Sequence, residues 1–330
     1  CLLLFEIILS LHSMVDGKAR INITHSDFIE SNSMLPPDFT LQASSPRTLP
    51  DNWLRSHSGM GGSSWYRSEF ELKQTNSTLW AVFIPRVNMN VAVFLNDKEI
   101  GNSGSFLEPM ARNWARPLYY TIPTELLDIG KNTLKIHLKS YPGEGGGLSK
   151  ILVGENEDLL PLFQKRFFLQ VDVAQITFFL NMIAGLIAFT LWRLRHKDTL
   201  YAYFSLICFS SSFFILNHFI QYIPVSRDTW HFAVHISIGW FAFSLLAFTQ
   251  YFIAQKTNKW LIWLLAYMTI SSIVLFAMKN ITFMFLWHIG SLTMVSYACI
   301  QLLKVWMQKK RGGSPCFIFC AFRNLDTWVP

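Results

Sequence analysis

The five consecutive residues Arg112, Asn113, Trp114, Ala115 and Arg116 carry the most evident binding chemistry in the chain. Two guanidinium groups flanking an indole can clamp a carboxylate or a sugar by bidentate hydrogen bonds and ring stacking. The alternative is structural: Trp114 packs on the domain that carries it, and the arginines are solvated or pair with Glu108. The segment lies in a connection before a strand, and binding residues concentrate on loops held by a rigid scaffold. Arg112, Asn113, Trp114 and Arg116 are therefore the expected ligand-binding set, with a small molecule, a carbohydrate or a carboxylate, as the partner.

Other groupings carry less. His218, His231, His235 and His288 fall within or beside long apolar stretches. Imidazoles bind zinc, copper or haem, but they also serve as ordinary interhelical hydrogen-bonding groups. His231 and His235 are four residues apart and share a helix face. No Asp, Glu or Cys joins them to fix a coordination geometry, so no metal and no other cofactor is expected. The run Pro142, Gly143, Glu144, Gly145, Gly146, Gly147 is not a phosphate loop. No Gly-Lys-Ser/Thr follows it, and Leu148 stands where a GxGxxG motif needs glycine. It reads as a flexible strand connection. No pair of acidic residues is marked as a glycosidase dyad, and no catalytic constellation is expected.

The elements that must position these residues fall into two halves. Of the 330 residues, 51% are apolar and 15% charged, with a mean hydropathy of +0.28. That excess of apolar side chains needs a solvent other than water. Residues 1–169 hold 17 of the 21 acidic residues and 16 of the 28 basic ones; residues 170–330 contain no Glu, four Asp and 12 basic residues. The pI of 9.1 thus comes from short basic loops in the second half and does not point to nucleic acid. Five stretches without charge, 174–192, 200–222, 229–255, 260–278 and 280–303, are long enough to cross the ~30 Å of a bilayer's hydrocarbon. The loops after the first, third and fifth carry nine basic residues, against only Arg227 and Lys279 in the other two. The positive-inside rule then puts those three loops in the cytoplasm and the front half outside. The four histidines lie in the outer half of the membrane on this reading. No charged residue sits inside a span, which argues against a proton-coupled carrier.

The front half shows a period of two. Leu134, Ile136 and Leu138 alternate with Lys135, His137 and Lys139; Val91, Val93 and Leu95 alternate with Ala92 and Phe94. Tyr66, Phe70 and Leu72 share one face, with Arg67, Glu69 and Glu71 on the other. Such alternation marks antiparallel strands with one face buried and one solvated. Asn96-Asp97 and Gly130-Lys131-Asn132 are turns between such runs. No cysteine lies in residues 2–207, so size alone must supply this core, and a stretch of about 145 residues suffices.

WYRSEFEL (65–72), VFLNDKEIGNSG (93–104) and IPTELLDIGKNTLKIHL (122–138) resemble the sugar-binding jelly roll of glycoside hydrolase family 2, a galactose-binding-like domain. Asp97 stands where that family usually has Gly. The catalytic barrel of that family is absent. Such a domain followed by apolar spans, together with FLEPMARNWARPLYYTIP (106–123), resembles bacterial seven-transmembrane receptors with diverse intracellular signalling modules. The resemblance implies a galactose-binding-like jelly-roll β-sandwich followed by a multi-span transmembrane helical bundle. It also implies a place in the bacterial inner membrane with the sandwich in the periplasm, and a homodimer with a histidine kinase or diguanylate cyclase as output. The expected layout is a partial signal peptide in 1–19, the sandwich in 20–168, five spans in 169–313, and a truncated sixth span or aberrant tail in 314–330. A carbohydrate-binding accessory of a membrane-bound glycoside-active enzyme, and a transporter, are the competing readings.

Overall fold

The computed structural model describes residues 20–56, 62–73, 79–141, 145–254 and 259–310. The expected signal segment and the 314–330 tail lie outside the described residues. The chain forms two compact units: the first runs to Val173 and takes in Phe219–Tyr222, and the second holds Ala174–His218 and the residues from Ile223 onward.

The first unit is a β-sandwich in which every paired strand is antiparallel. One sheet orders β1 (Ile21–Ile23), β13 (Ile151–Glu155), β6 (Trp80–Ile84) and β10 (Leu118–Ile122). The other orders β3 (Ser45–Thr48), β2 (His25–Glu30), β5 (Gly62–Leu72), β11 (Gly130–Ser140), β8 (Asn90–Leu95) and β9 (Lys98–Asn102). A small third sheet joins β4 (Asp51–Asn52), β12 (Gly147–Leu148) and β7 (Val87–Asn88). The period-two pattern reappears as packing. Tyr66, Phe70, Leu72, Val91, Val93, Leu95, Leu134, Ile136 and Leu138 share a core with Val82, Ile84, Leu118, Ile122 and Val153 of the facing sheet.

The turn motifs have structural reasons. Asn96 and Asp97 have φ of 47° and 65°, as a two-residue hairpin with primed geometry requires, and β8 pairs with β9 across them. Asp97 fits the second turn position because a short polar side chain tolerates the left-handed region, and its carboxylate meets Lys135 Nζ at 2.6 Å. Asn132 is fully buried and fully bonded. Its Nδ2 donates to Asp128 O at 2.7 Å, and its Oδ1 accepts from Asp128 N at 2.9 Å and Asn96 Nδ2 at 3.0 Å. Asn132 therefore ties the β8–β9 hairpin to the start of β11.

Two sequence expectations need correction. The period of two does not hold to the end of the front half, where the chain turns helical as α2 (Asn156–Phe167), after the four-residue helix α1 (Trp53–Ser56). Acidic residues begin α2 and basic ones end it, matching the helix dipole. Its Leu159, Leu162 and Phe163 cover Ala81 and Phe83 on the outer side of the four-stranded sheet. The second correction concerns the far side of the six-stranded sheet, which is not solvated at its centre. His137 has no exposed surface and is stacked between Trp65 and Phe106, at centroid distances of 4.7 and 5.1 Å. Phe39 and Phe94 close the cluster.

A π-helical turn (Phe168–Asp172) leads from α2 into α3 (Val173–Leu194), followed by α4 (Thr199–Phe219), α5 (Arg227–Ala254), α6 (Lys259–Met278) and α7 (Ile281–Lys310). These supply five helices long and apolar enough to cross a membrane, on the expected stretches. In the second unit α5, α6 and α7 share a core of Phe232, Phe243, Ala247, Met268, Leu275 and Trp287. Gly239 lets Trp287 lie flat on α5; a Cβ there would fall 2.1 Å from the indole. Hydroxyls within the helices bond back one turn, as Ser210 to Leu206 O, Ser244 to Trp240 O and Ser291 to Trp287 O. Each of these hydroxyls thereby finds its acceptor within its own helix, whereas Ser212 Oγ on α4 is buried without a partner among the described residues.

Burial holds the His137 imidazole neutral by lowering its pKa from 6.5 to about 4, with Lys139 adding to the effect. The unfolded chain then binds a proton that the folded chain refuses between those values. His137 thus leaves stability intact above pH 6.5 and removes it as pH falls toward 4, by up to ~1.4 kcal/mol per pH unit and about 3 kcal/mol in all. Acid titration of sandwich stability, followed by near-ultraviolet circular dichroism, should show a shallower slope in this window for His137→Gln than for the parent chain.

Candidate ligand-binding site

The small third sheet and the loops beside it enclose a cavity of about 350 Å3 in the first unit. Its wall is built by elements distant in sequence. β4 contributes Asp51, the start of β7 brings Arg86 and Asn88, the 112–116 segment brings Trp114, and the glycines 145–147 lead into β12. β12 pairs with β4 on one side and β7 on the other, which draws these groups together.

Asp51 is held by a buried chain of donors. Trp53 Nε1 donates to Tyr66 Oη, and Tyr66 Oη donates to Asp51 Oδ2, each at 2.7 Å. Ser56 Oγ donates to Asp51 Oδ1 at 2.7 Å. Burial, and then the Asp51 charge, push the Tyr66 hydroxyl well above its ordinary pKa, so it stays a donor. A carboxylate with fixed partners is an oriented acceptor on the wall. Asn88 Nδ2 is committed to Gly145 O, while its buried Oδ1 has no hydrogen-bond partner among the described residues. Arg86 is an exposed cation whose backbone is pinned reciprocally to Ser149: Arg86 N donates to Ser149 Oγ, and Ser149 N donates to Arg86 O, each at 3.0 Å.

The glycines are needed for close approach. A Cβ on Gly146 would lie 2.2 Å from Trp53 Cε3, and one on Gly147 would lie 2.8 Å from Asp51 O. The expected flexible connection is therefore, over its described residues, a packed wall with Gly147 in a strand. Its first part, Pro142, Gly143 and Glu144, lies outside the described residues.

Of the four residues expected to bind ligand, Trp114 lines the cavity, resting on Met89, Met110 and Tyr141. Asn113 is fully buried and bonds to Ser103 O at 2.9 Å. Arg112 is half-buried outside the cavity wall. Arg116 sits 5.3 Å over the ring of Phe167, and not on Trp114; burial lowers its pKa, and Asp172 works against that shift. Arg86, and neither Arg112 nor Arg116, lines the cavity together with Trp114. Sequence reasoning missed Arg86, Asp51 and Asn88, because each is a single polar residue in a short strand or turn and only strand pairing brings them together.

The histidines of the second unit form a line. His231 Nε2 and His235 Nε2 are 3.1 Å apart, and His235 Nδ1 meets His288 Nε2 at 2.8 Å. His235 turns one ring nitrogen to each neighbour, so the three do not converge on a single point. Among the described residues no group of three His, Cys, Asp or Glu side chains could hold a metal ion.

Substituting Gly146→Ala should push the Trp53 indole out of the core. The clash is expected to cost about 3 kcal/mol, read as a fall in the sandwich melting temperature with a red shift in tryptophan emission.

No family model and no curated protein matches the chain. Solved structures that share part of it include a glycosyl hydrolase family 2 member from Bacteroides cellulosilyticus DSM 14838, at 16% identity and a TM-score of 0.33, covering 41% of this chain and 20% of that one. A family 2 beta-galacturonidase from Eisenbergiella tayi bound to glycerol is 15% identical with a TM-score of 0.32, covering 43% of this chain and 26% of its own. A b-glucuronidase from Ruminococcus gnavus in complex with D-glucuronic acid is 15% identical with a TM-score of 0.33, covering 42% of this chain and 30% of its own. The chain thus spans less than a third of the length of these solved proteins.

Proposed function

We propose that the chain is the sensing portion of a bacterial signalling receptor. In this reading the sandwich is a galactose-binding-like jelly roll outside the cell, and it takes up a small carbohydrate or carboxylate. The five helices cross the inner membrane and pass the signal to a cytoplasmic output such as a histidine kinase or diguanylate cyclase, acting as a homodimer. The observation that carries the reading is the cavity walled by Trp114, Arg86, Asp51 and Asn88, in a chain that also has five long apolar helices among its described residues. A ring face, a cation, a fixed acceptor and small backbone elements are what a sugar acid needs: stacking for its C–H face, a guanidinium for its carboxylate, and acceptors for its hydroxyls. A hexuronate is the ligand class favoured.

The membrane reading is supported by the surfaces of the helices. Ile262, Trp263, Ile270 and Ile273 on α6, and Leu286 and Leu292 on α7, are all more than half exposed, as lipid-facing side chains would be. Arg193 lies in the last turn of α3, Arg195 and Lys197 follow it and Asp172 precedes it, so the basic end of this helix would face the cytoplasm. The same cavity also favours a second reading, a carbohydrate-binding accessory of a membrane-bound glycoside-active enzyme. The two differ in whether occupancy alters the helices.

The test is a titration of the full chain in lipid nanodiscs with D-glucuronate and D-galactose, read by tryptophan fluorescence. D-glucuronate should bind saturably. Arg86→Ala should raise its Kd by about 10- to 100-fold, and Trp114→Ala should weaken both sugars. Absence of saturable binding by either sugar, or a Kd indifferent to both substitutions, would overturn the reading. Binding with no change in the helices would leave the accessory role.

A further inference from the structure

Residues 112–116 touch three things within the first unit. Trp114 lines the cavity. On one side, Asn113 Oδ1 accepts Gln221 Nε2 at 3.1 Å, and Gln221 Nε2 also donates to Ser103 O at 3.0 Å. Gln221 O accepts Arg112 N at 3.0 Å, and Tyr222 Oη accepts Ser105 N at 3.3 Å. Gly104 makes room for that hydroxyl; a Cβ there would lie 2.6 Å from it. On the other side, Arg116 stands over Phe167, with Asp172 acting on its charge. The segment is stiff: Arg116 N closes a turn onto Asn113 O at 3.0 Å, and Asn113 N donates to Met89 O at 3.0 Å. Trp114 therefore cannot shift without disturbing its neighbours on both sides.

The two outer contacts are at informative places in the chain. Gln221 and Tyr222 stand two and three residues after α4, and Phe167 precedes and Asp172 ends the π-helical turn that runs into α3. Single π-helical turns within helices are frequently found at functional positions. Both contacts thus lie beside the ends of apolar helices, and both depend on a five-residue segment that carries a side chain of the cavity wall.

We infer that residues 112–116 are the transmission element of the sandwich, carrying occupancy of the cavity from Trp114 through Asn113 to Gln221 after α4, and through Arg116 to the π-helical turn before α3. This rests on the cavity being the ligand site, and it names Gln221 and Phe167 as positioning residues that no sugar need touch. Coupling of this kind is reciprocal: whatever loosens Gln221 must also alter the Trp114 wall.

Hydrogen exchange of the full chain in nanodiscs tests this in two arms. With saturating D-glucuronate, exchange at Phe219–Tyr222 and Phe168–Asp172 should change by about fivefold or more. Gln221→Leu should remove the first change and Phe167→Leu the second, with the sugar still binding; Gln221→Asn serves if the leucine variant does not fold. Without sugar, Trp114→Ala should speed exchange at the same two segments by a similar factor, and adding Gln221→Leu should bring no further change at Phe219–Tyr222. Exchange at both segments equal to that of the parent chain in Trp114→Ala overturns the inference whatever the sugar does. So does sugar binding that leaves both segments unchanged. Failure of D-glucuronate to bind, with exchange altered in Trp114→Ala, removes the ligand reading and leaves the transmission element standing.

Discussion

The Tyr66 hydroxyl accepts a hydrogen bond from the Trp53 indole and donates its own to Asp51, with 2.7 Å on each side, at the edge of the sandwich core. Much of the first unit converges there. Tyr66 is an inward-facing residue of β5, so its ring belongs to the apolar core and meets Phe28 edge-on at 5.1 Å. Its hydroxyl reaches out of that core and fixes a carboxylate on the wall of the cavity. A buried polar chain of this kind is favourable only when every member is satisfied, and here each donor has its acceptor. Trp53 in turn fills the space that Gly146 leaves open, so the same chain sets how closely β12 approaches β4.

The consequence is a site stiffened from behind. The cavity is lined by short strands and turns, which would be mobile if left to themselves. They are instead pinned by long-range contacts: Trp53 N to Gly146 O at 3.0 Å, Arg86 to Ser149, and Trp114 on a bed of two methionines and a tyrosine. The wall is thus held in place by the fold itself.

The second unit follows a different rule. Its helices are apolar nearly all round, so an amphipathic stripe does not decide which faces meet. Small residues and a few polar contacts do that instead. Gly239 admits Trp287, whose Nε1 reaches His235 O at 2.8 Å, and Trp240 Nε1 reaches Ser272 Oγ at 3.1 Å. The His235–His288 contact adds one hydrogen bond between α5 and α7 at the same place.

What could be read from the residues alone was whatever depends on neighbours in sequence. Alternation placed Leu134, Ile136 and Leu138 on the core side, charge-free length marked the five helices, and Asn96-Asp97 marked a hairpin, since period, length and backbone preference are local properties. The tertiary structure decided what depends on partners far along the chain. It buried His137 on the face expected to be solvated, because Trp65 and Phe106 from other segments stack on its ring. It took Arg116 away from Trp114 and put Arg86, Asp51 and Asn88 beside the cavity instead. It turned a glycine run that reads as slack into a close-packed wall, because only the Trp53 ring, about 90 residues earlier, shows why no side chain fits there. A cavity wall built by strand pairing has no sequence period, and so it becomes visible only once the strands are paired.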